Sequence, residues 1–487
     1  MLGTGWAEAN ARGEVLGLDL AARSFERGLA VTGPDGQRIP IPISATAEVR
    51  TAAEMAAAKR AAGDVARAIA SLSRALFRGE VRDVVRPHLS PLERRLAEAE
   101  GASMQRLAVT RTDFFDGGSL RALELNATIP AMQAYSDIAA QSWVEFQAGR
   151  LGLDPAPFVG ALPSNTRALY DALCGWWRQE LGTDPASIAV LVRRRDAQIT
   201  EVEWLVRAWS GFGTETFVVY PDELTLNGDR WFAGQRPLDL VYRHLFVRRL
   251  EQGLPGAEAA TQLLERPGAS CRVFNPPASQ LEVKAVFALL SEAAMDSALA
   301  DAAGVREFDL GSVIPWTRVL APGPAMDPDG ASVSDLVARV SSDPDRFVLK
   351  RSWDYGGRAV FIGSVRQDVS FSERVHAWFG ETLGWPEIVA RAAFDGPAGW
   401  VVQEAVPARR ARHLLCTPAS SSWQDVFVDL SHYASVGLDI EPDWTGVVRG
   451  SMGPVVNIVG GGGVIPLIPS DIAAGLATTV DGCPFLR

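Results

Sequence analysis

Residues 104–130 of this chain, MQRLAVTRTDFFDGGSLRALELNATIP, constrain its fold more than any other stretch. The run from Gln105 to Phe115 is rich in Leu, Val, Thr and Phe and alternates almost strictly, and the run from Leu120 to Asn126 alternates again. The Asp-Gly-Gly sequence at 116–118 between the runs is a turn signal. The stretch therefore predicts a β-hairpin, with two antiparallel strands joined by a tight turn.

Four polar residues share one face of this hairpin. Alternate residues of a strand point to the same side, which groups Arg111 with Asp113 and Glu124 with Asn126. If the loop consists of the four residues from Gly117 to Leu120, Asp113 lies opposite Glu124 and Arg111 lies opposite Asn126, and directly opposed residues share a face. A slip of one residue would divide the set between two faces.

Two carboxylates and an amide oxygen on one face suit Mg²⁺, which takes oxygen ligands and is usually held by one or two carboxylates plus phosphate oxygens. We expect Asp113, Glu124 and Asn126 to be the metal ligands and Arg111 to contact a phosphate group. The alternative is an amphipathic hairpin whose polar face only meets water, and this stretch alone leaves the two interpretations about equal. The flanking sequence favours the metal site, because the polar side of the strands from Arg111 to Asn126 holds no Lys, Ser or Gln.

Length and composition predict a soluble globular protein of two or three packed units, because 487 residues exceed one core of typical size. The formal net charge of -11 argues against a nucleic-acid partner bound by bulk charge. The four Cys are far apart and form no CxxC or Cys/His motif, so neither disulfides nor zinc are predicted and a cytoplasmic location fits. The N-terminus has no apolar segment and Gly and Pro interrupt the apolar tracts elsewhere, so we expect no membrane segment.

Around the hairpin, the sequence predicts short strands with a Pro-Asp-Gly turn over residues 14–48, and helices over Thr51 to Arg78, Ser90 to Glu100 and residues 135–150. After a linker at 154–157, the pattern predicts a helix over 166–181, a strand over 187–192, a helix over 199–210, and strands over 216–220 and 239–244. This order is typical of a small α/β unit of the open-sheet type.

Ligand sites of open sheets lie at the carboxyl ends of the strands. We expect the polar residues at these ends to face the metal hairpin and bind the acceptor substrate, although a solvated loop is an equally weighted alternative. These residues are Arg193 to Arg195, Tyr242, Arg243 and His244.

A second glycine-containing hairpin is predicted near residue 350. Phe347 to Lys350 and Ala359 to Ile362 are predicted strands, and Asp-Tyr-Gly-Gly at 354–357 links them. Backbone N–H groups of such a loop can cover a triphosphate while a Lys acts as a point charge, and Lys occurs only at 59, 284 and 350. By itself this signal is weak, because Gly-Gly hairpins are common. No GxxxxGK[ST] motif exists, which excludes a Walker-type site.

Three further elements complete the prediction. Residues 279–299 are predicted as one helix that carries Lys284, and Gly446 to Ile468 is predicted as strand with Arg449 and Asn457. The strand at 400–406 contains Gln403 and Glu404, a composition that suits the edge of an adenine ring, with a surface strand end as the alternative.

Together these pieces resemble the ATP-grasp superfamily in its circularly permuted form, as in glutathionylspermidine synthetase and related amide ligases. The family order of metal hairpin, small α/β domain, Lys-bearing glycine loop, hinge and phosphate-binding Arg is the order found here, over residues 104–130 and 239–468. The resemblance implies an α/β (α+β) ATP-grasp fold with a small open-sheet α/β domain and an N-terminal helical segment. It divides the chain into residues 1–150 with the hairpin, 151–300 as the α/β domain, and 301–487 as the nucleotide-binding part.

The resemblance also implies roles for individual residues. Asp113, Glu124 and Asn126 correspond to the Mg²⁺ ligands, and Arg111, Lys350 and Arg449 to the catalytic residues that meet phosphate groups. The nucleotide-binding residues are Lys350, Gly356, Gly357, Gln403, Glu404, Asn457 and, where family members often have a Lys, Arg318. An Arg at 318 keeps the charge but changes the geometry.

The implied activity is that of an ADP-forming ligase, with ATP and Mg²⁺ as cofactors and with small-molecule or peptide carboxylates and amines as substrates. ATP phosphorylates a carboxylate and an amine displaces the phosphate, which needs positioning and charge neutralisation but no protein nucleophile. Two alternatives stay open: a phosphotransferase on the same fold, and a nucleotide-binding protein without catalysis. We expect no nucleic-acid or membrane partner, and a homo-oligomer is compatible with the sequence.

Overall fold

The computed structural model describes residues 17–73, 75–77, 81–100, 106–268, 270–354, 356–395, 399–458 and 462–477. Parts of several sequence predictions lie outside these residues, namely residues 14–16, Arg74, Arg78, residues 104–105, Tyr355, residues 459–461 and Cys483.

The strands of the described residues are numbered along the chain. They are β1 Ala30–Thr32, β2 Arg38–Pro40, β3 Ile43–Ser44, β4 Glu48–Arg50, β5 Leu107–Phe115, β6 Arg121–Asn126, β7 Ser187–Val192, β8 Glu215–Val219, β9 Leu224–Asn227, β10 Arg230–Ala233, β11 Arg236–Pro237, β12 Leu240–His244, β13 Arg272–Phe274, β14 Thr317–Val319, β15 Ala325–Met326, β16 Ser332–Val333, β17 Phe347–Arg351, β18 Val360–Ile362, β19 Trp400–Glu404, β20 Arg409–Thr417, β21 Ser420–Val436, β22 Gly446–Ser451, β23 Gly463–Ile465 and β24 Leu467–Pro469.

Residues 17–27 are helical, and the later helices are numbered in the same way. They are α1 Ala52–Leu72, α2 Arg82–Val85, α3 Pro91–Glu100, α4 Gln133–Arg150, α5 Ala156–Ala161, α6 Asn165–Leu181, α7 Ile199–Gly211, α8 Val247–Leu250, α9 Ala257–Glu265, α10 Ser279–Glu282, α11 Ala285–Ala293, α12 Ser297–Ala303, α13 Leu310–Val313, α14 Leu336–Ser342, α15 Val369–Phe379, α16 Trp385–Ala393 and α17 Ser470–Ala477.

The largest sheet in the described part of the chain has seven strands in the order β20-β3-β23-β22-β21-β5-β6. Its strand β5 is buried along its whole length. Val109 packs in one apolar cluster with Tyr135 and Ile138 of α4, and Phe114 packs in another with Ile69 of α1. Both faces of the sheet are therefore covered by helices, and strands from the first 150 residues and from the last 80 or so form one sheet.

A four-stranded parallel sheet follows in the order β13-β12-β7-β8. The predicted strand over 187–192 and helix over 199–210 are confirmed as β7 and α7, and the neighbouring strands lie within about a residue of their predicted bounds. Because the strands are parallel, β7 and β12 end at the same edge of the sheet. That edge carries Arg193 and His244.

The third sheet contains the predicted glycine hairpin, in the order β14-β19-β17-β18. Lys350 of β17 pairs with Val360 of β18 and with Val401 of β19, and all three pairings of this sheet are antiparallel. The hairpin and the predicted adenine-binding strand are therefore neighbours.

Two predictions of secondary structure need correction. Residues 17–27 are helical, where strands were predicted, although the Pro-Asp-Gly turn does join β1 to β2. The helix over residues 279–299 is broken into α10, α11 and α12, because Val283 is extended and Asp296 caps the start of α12. The break coincides with a tertiary contact: Glu282 accepts the N–H groups of Ala127 and Thr128, which holds the end of α10 against the chain after β6.

Two element bounds also differ from the prediction. Thr51 and Glu54 form the capping box that starts α1, but the helix ends at Leu72, and residues 75–77 are a turn. The strand predicted over 446–468 is three strands, β22, β23 and β24, separated by residues 452–462 and by Pro466. Among the described residues, no helix combines the length and apolar character needed to cross a membrane.

Candidate active site

The register predicted for the metal hairpin is confirmed at the site residues. Asp113 pairs with Glu124 and Arg111 pairs with Asn126 across β5 and β6. Nearer the turn, Phe115 pairs with Arg121, so the loop is one residue longer than predicted. A β-bulge at Leu123 takes up the extra residue and restores the predicted register where the polar residues lie.

Asp113 is buried and is bound by two arginines. Arg111 donates to both of its oxygens, from Nε to Oδ1 at 2.7 Å and from Nη2 to Oδ2 at 3.1 Å, and Arg449 donates from Nη2 to Oδ2 at 2.9 Å. Burial raises the pKa of the Asp113 carboxyl, but the charges of Arg111 and Arg449 outweigh it and hold that pKa below its ordinary value. Asp113 is therefore ionised at neutral pH.

Arg449 has a second acidic partner that the sequence reasoning missed. Asp429 of β21 pairs with Arg449 of β22 in the sheet register, and Arg449 donates to it from Nε at 3.1 Å and also from Nη2. Burial raises the pKa of Asp429 to about 6, although the charge of Arg449 opposes the shift. The missed signal was the single carboxylate among apolar residues in VFVDLS, which is unusual inside a strand.

The glycine loop depends on its two glycines. Gly356 and Gly357 have φ values of +68° and +69°, a conformation that side chains with a Cβ rarely adopt. A Cβ on Gly357 would lie 2.4 Å from Cγ1 of Val455. The side-chain amide of Asn457 donates to the carbonyl of Gly356, so the loop is attached to the segment that follows β22.

Lys350 reaches from the glycine hairpin to the metal hairpin. Its Nζ donates to the carbonyl of Leu123 at 3.2 Å and to Oε1 of Gln403 at 2.6 Å, and Gln403 in turn donates to Thr317 at 3.0 Å. Burial lowers the pKa of Lys350 to about 8, even though the charge of Glu124 opposes the shift. The ammonium form of Lys350 still predominates at neutral pH, but by less than in a fully hydrated lysine.

Lys284 is a second lysine at the site, and the sequence reasoning gave it no role. It lies at the break between α10 and α11, and its Nζ is 3.3 Å from Oε2 of Glu124 and 2.6 Å from the carbonyl of Asp354. Lys284 thereby joins the metal hairpin to the start of the glycine loop. The scarcity of Lys in the sequence was the signal that could have identified it.

On β14, the side chain of Thr317 contacts Gln403 of the neighbouring strand, and the side chain of Arg318 lies on the opposite face. Its guanidinium donates to Ser291 and to the carbonyl of Thr317, and it lies 3.7 Å from a carboxylate oxygen of Glu292. Arg318 does not line either of the two cavities described below, whereas Thr317 contacts Gln403. This position does not support the predicted nucleotide-binding role of Arg318.

Two cavities meet at these residues. The first, of about 400 Å³, has apolar walls that include Val348, Ile362 and Phe427, and Gln403 and Glu404 of β19 lie at its edge. We call it the apolar cavity. Gly357 and Lys350 also line it.

The second cavity, of about 350 Å³, exposes more polar surface than the first, and we call it the polar cavity. Its lining includes Arg111, Asn126, Gly356, Asn457 and Glu282. The two cavities share a wall, hereafter the junction, formed by Glu124, Lys284, Asp354, Gly357, Arg358, Arg449 and Val456. The junction brings together cations and carboxylates from the large sheet, from the break between α10 and α11, and from the glycine loop.

The predicted acceptor residues divide into two groups. Arg193 and His244 line the polar cavity together with Arg111 and Asn126. Arg243 is fully buried and donates to the carbonyls of Leu245, Asn275 and Pro276, so its role is structural and the prediction for it is wrong. Neither Arg195 nor Tyr242 lines the polar cavity.

The donor atoms of the predicted metal ligands fit Mg²⁺ in kind, since Asp113, Glu124 and Asn126 supply two carboxylates and an amide oxygen. The described residues contain no group of three or more His, Cys, Asp or Glu that could hold a metal by themselves. Metal binding here would therefore rely on the amide of Asn126 and on non-protein oxygens such as phosphate. It would also compete with Lys284 for Glu124.

No protein-family model and no curated protein matches this chain. Among solved structures, it is similar to a glutathione synthetase-like effector from Globodera pallida in its apo form, with a TM-score of 0.55 and 12% identity over 93% of this chain and 96% of that one. The chain shares the fold of that effector. A candidate gamma-glutamylcysteine synthetase from Methylobacillus flagellatus has a TM-score of 0.37 and 10% identity over 76% of this chain and 83% of that one, which is too weak to support a conclusion.

The glutathione synthetase-like fold agrees with the predicted fold at the level of a mixed α/β protein with several sheets. The circular permutation, the three predicted domains and the roles of the site residues stay predictions.

Proposed function

We propose that this chain is an ATP-dependent, ADP-forming carboxylate–amine ligase of the circularly permuted ATP-grasp type. The observation that carries the proposal is the junction, where an apolar cavity and a polar cavity meet at Glu124, Lys284, Arg358 and Arg449. A nucleotide needs an apolar pocket for its base, and a carboxylate acceptor needs a polar pocket. Phosphoryl transfer between them needs cations at the point where the pockets meet.

The apolar cavity is assigned to the adenine and ribose of ATP. Gln403 and Glu404 end the strand that borders it, and Val348 and Ile362 supply apolar surface for a ring. The glycine loop then covers the phosphates, because Gly356 and Gly357 allow the backbone to come close to them. Lys350 contacts phosphate oxygens already present in bound ATP.

The polar cavity is assigned to the acceptor carboxylate. A carboxylate oxygen attacks the γ-phosphorus of ATP, the bond from phosphorus to the β–γ bridging oxygen breaks, and ADP leaves with that electron pair. An amine then attacks the carbonyl carbon of the acyl phosphate, and inorganic phosphate leaves as the amide forms. Arg449 and Lys284 stabilise the charge on the phosphoryl group as it moves across the junction.

Asp113, Glu124 and Asn126 would hold Mg²⁺, which neutralises phosphate charge when it is bound. Asp113 and Asp429 also fix the guanidinium of Arg449 from both sides, so that its planar fork is oriented before a substrate arrives. No nucleophilic side chain is required, because the phosphoryl group passes directly from ATP to the acceptor.

The test is a screen for ADP release with pools of small carboxylates and amines, with ATP and Mg²⁺ present. The proposal predicts ADP and inorganic phosphate together with an amide, and only when both a carboxylate and an amine are supplied. A stable phosphorylated acceptor and no amide would instead identify a phosphotransferase. ATP binding without ADP release in any pool would identify a nucleotide-binding protein.

A further inference from the structure

One end of the polar cavity is lined by residues that do not border the apolar cavity. Arg193 follows β7, His244 ends β12 and Arg249 lies on α8 just beyond it. Arg358 of the glycine loop borders both cavities. We call these four residues the arginine end of the polar cavity.

The guanidinium groups of Arg193 and Arg358 both repel that of Arg249. Burial lowers the pKa of Arg249, and the positive charges of Arg193 and Arg358 lower it further. Asp196 and Asp354 oppose this effect, and Asp196 accepts from Nε of Arg193 at 2.8 Å. Like charges crowded around one cavity are costly unless an anion binds among them.

The whole polar cavity has the same excess of positive charge. Its lining includes six permanently cationic side chains and only four carboxylates. Burial raises the pKa of two of those carboxylates, Glu282 and Asp354, because it disfavours their charged form. With one substrate carboxylate at the junction, the cations of the lining still outnumber the carboxylates.

His244 is an independent indication of a ligand at this end. Its side chain is 1% exposed, and among the described residues neither ring nitrogen has a hydrogen-bond partner. Burial lowers the pKa of His244, so the ring is neutral at pH 7 and offers one N–H donor and one acceptor nitrogen. Buried polar atoms are normally hydrogen-bonded, and an orphaned ring that lines a cavity indicates a bound polar group.

We propose that the arginine end binds a second anionic group of the acceptor, so that the substrate is a small compound with a reactive carboxylate at the junction and a further carboxylate or phosphate at Arg193, Arg249 and Arg358. This inference rests on the proposed function for the first carboxylate only. The second group is recognised by charge-assisted hydrogen bonds from guanidinium groups, which carboxylates and phosphates accept equally well. His244 binds a neighbouring polar group of the same molecule.

The test is calorimetry without nucleotide, which measures the acceptor site alone. The probes are glutarate with two carboxylates, 3-phosphonopropionate with a carboxylate and a phosphonate, and butyrate with one carboxylate. We expect both dianions to bind and butyrate to bind at least about tenfold more weakly, since butyrate lacks the second anionic group that would accept charge-assisted hydrogen bonds. The tighter of the two dianions tells whether the second group is a carboxylate or a phosphate.

The variant for this test is Arg249→Gln, because Arg249 is only partly buried and the substitution keeps most of the side-chain volume. It should weaken dianion binding by about tenfold and leave butyrate unchanged, as expected for the loss of one charged donor. The matched control is Arg194→Gln, since Arg194 is exposed, pairs with Asp222 and Glu223, and does not line the polar cavity. This control should bind all three probes as the wild type does.

Three results would overturn the inference: no saturable binding of either dianion, equal affinity for butyrate, or an equal loss in both variants. The proposed function can fail separately. If dianions bind and Arg249→Gln weakens them but no carboxylate supports ADP release, the arginine end is correct and the ligase activity is not. If monocarboxylates support ADP release and Arg249→Gln is as active as the wild type, the ligase activity is correct and the arginine end is not.

Discussion

The guanidinium of Arg449 lies 2.9 Å from the carboxylate of Asp113, although the two residues are 336 positions apart in the chain. They reside on β22 and β5, on either side of β21, whose Asp429 binds the same guanidinium. The predicted metal hairpin and the predicted phosphate-binding Arg are therefore fixed to each other by the large sheet. In the proposed reaction, this contact sets where the phosphoryl group passes from ATP to the acceptor.

Glu124→Gln should lower kcat by a factor on the order of 10²–10³, by analogy with the loss of one electrostatic stabiliser. Glu124 is the proposed metal ligand that also contacts Lys284, so the neutral amide weakens metal binding and leaves Lys284 without its carboxylate. The measurement is ADP release against Mg²⁺ concentration, and the variant should need more Mg²⁺. Full activity of the wild type in excess chelator would contradict the metal assignment.

Lys350→Ala and Arg449→Lys should separate ATP binding from phosphoryl transfer. Lys350 contacts phosphates in bound ATP, so its loss raises KM for ATP. Lysine at position 449 keeps the positive charge but lacks the planar guanidinium that fits a phosphoryl group in transfer, so kcat falls by tenfold or more. Steady-state kinetics at saturating carboxylate measures both effects. A kcat for Arg449→Lys within about twofold of the wild type, well under the tenfold that 1.4 kcal/mol represents, would move the role to Arg111.

The loss of the Arg449 fork could also destabilise the sheet, because Asp113 and Asp429 would keep only part of their hydrogen bonds. Thermal unfolding of Arg449→Lys controls for this effect. A melting temperature close to that of the wild type, together with a reduced kcat, assigns the change to catalysis.

Gly357→Ala should impair the glycine loop specifically. Alanine at this position must adopt a positive φ, which costs roughly 1–2 kcal/mol, and its Cβ also collides with the side chain of Val455. Gly36→Ala is the matched control, since Gly36 has a φ of +83° and no atom within 4 Å of an added Cβ. Both variants should have a lower free energy of unfolding than the wild type, but only Gly357→Ala should raise KM for ATP. A similar rise in KM for both variants would contradict the role of the loop.

Glu201 should make the stability of the fold depend on pH. Its Oε1 accepts the N–H groups of Met132 and Ala134, and burial raises its pKa from 4.5 to about 7. The folded state therefore holds the proton more tightly than the unfolded chain, so this contribution to stability is complete below about pH 4.5 and is lost as the pH rises through about 7.

Glu201→Gln removes that ionisation and keeps an acceptor for the two N–H groups. The variant should exceed the wild type in free energy of unfolding by up to about 3 kcal/mol at pH 8, at 1.36 kcal/mol for each unit of pKa, and by much less at pH 5. Urea unfolding at the two pH values measures the difference. Glu203→Gln, at an exposed position of the same helix, should show no such dependence, and a similar one would contradict the assignment.

Local patterns were sufficient for the part of the site that two adjacent strands form. Alternation and the Asp-Gly-Gly turn predict the pairing of Asp113 with Glu124, because side-chain direction in a strand follows a period of two. The same pattern could not predict the bulge at Leu123, since a longer loop with a bulge gives the same pairing of Asp113 with Glu124 as a shorter loop without one.

Tertiary contacts decided what the sequence could not. The break at Val283 depends on Glu282 binding the chain after β6, more than 150 residues earlier, so helical periodicity alone missed it, and with it the position of Lys284. Likewise, the charge of Arg318 suggested a phosphate contact, but the register of β14 directs Thr317 toward Gln403 and Arg318 toward Glu292. Asp429 was missed because its partner Arg449 lies on the next strand, not in the same motif.

The measurement that tests the central claim most directly uses a carboxylate substrate labelled with ¹⁸O in its carboxyl group, incubated with ATP, Mg²⁺ and an amine. If the carboxylate attacks the γ-phosphorus and the amine then displaces phosphate, one labelled oxygen must pass from the carboxyl group to the inorganic phosphate. Mass spectrometry should find that phosphate labelled, alongside unlabelled ADP and an amide that retains the other label. Amide formation with unlabelled phosphate, or with label in AMP, would contradict the account.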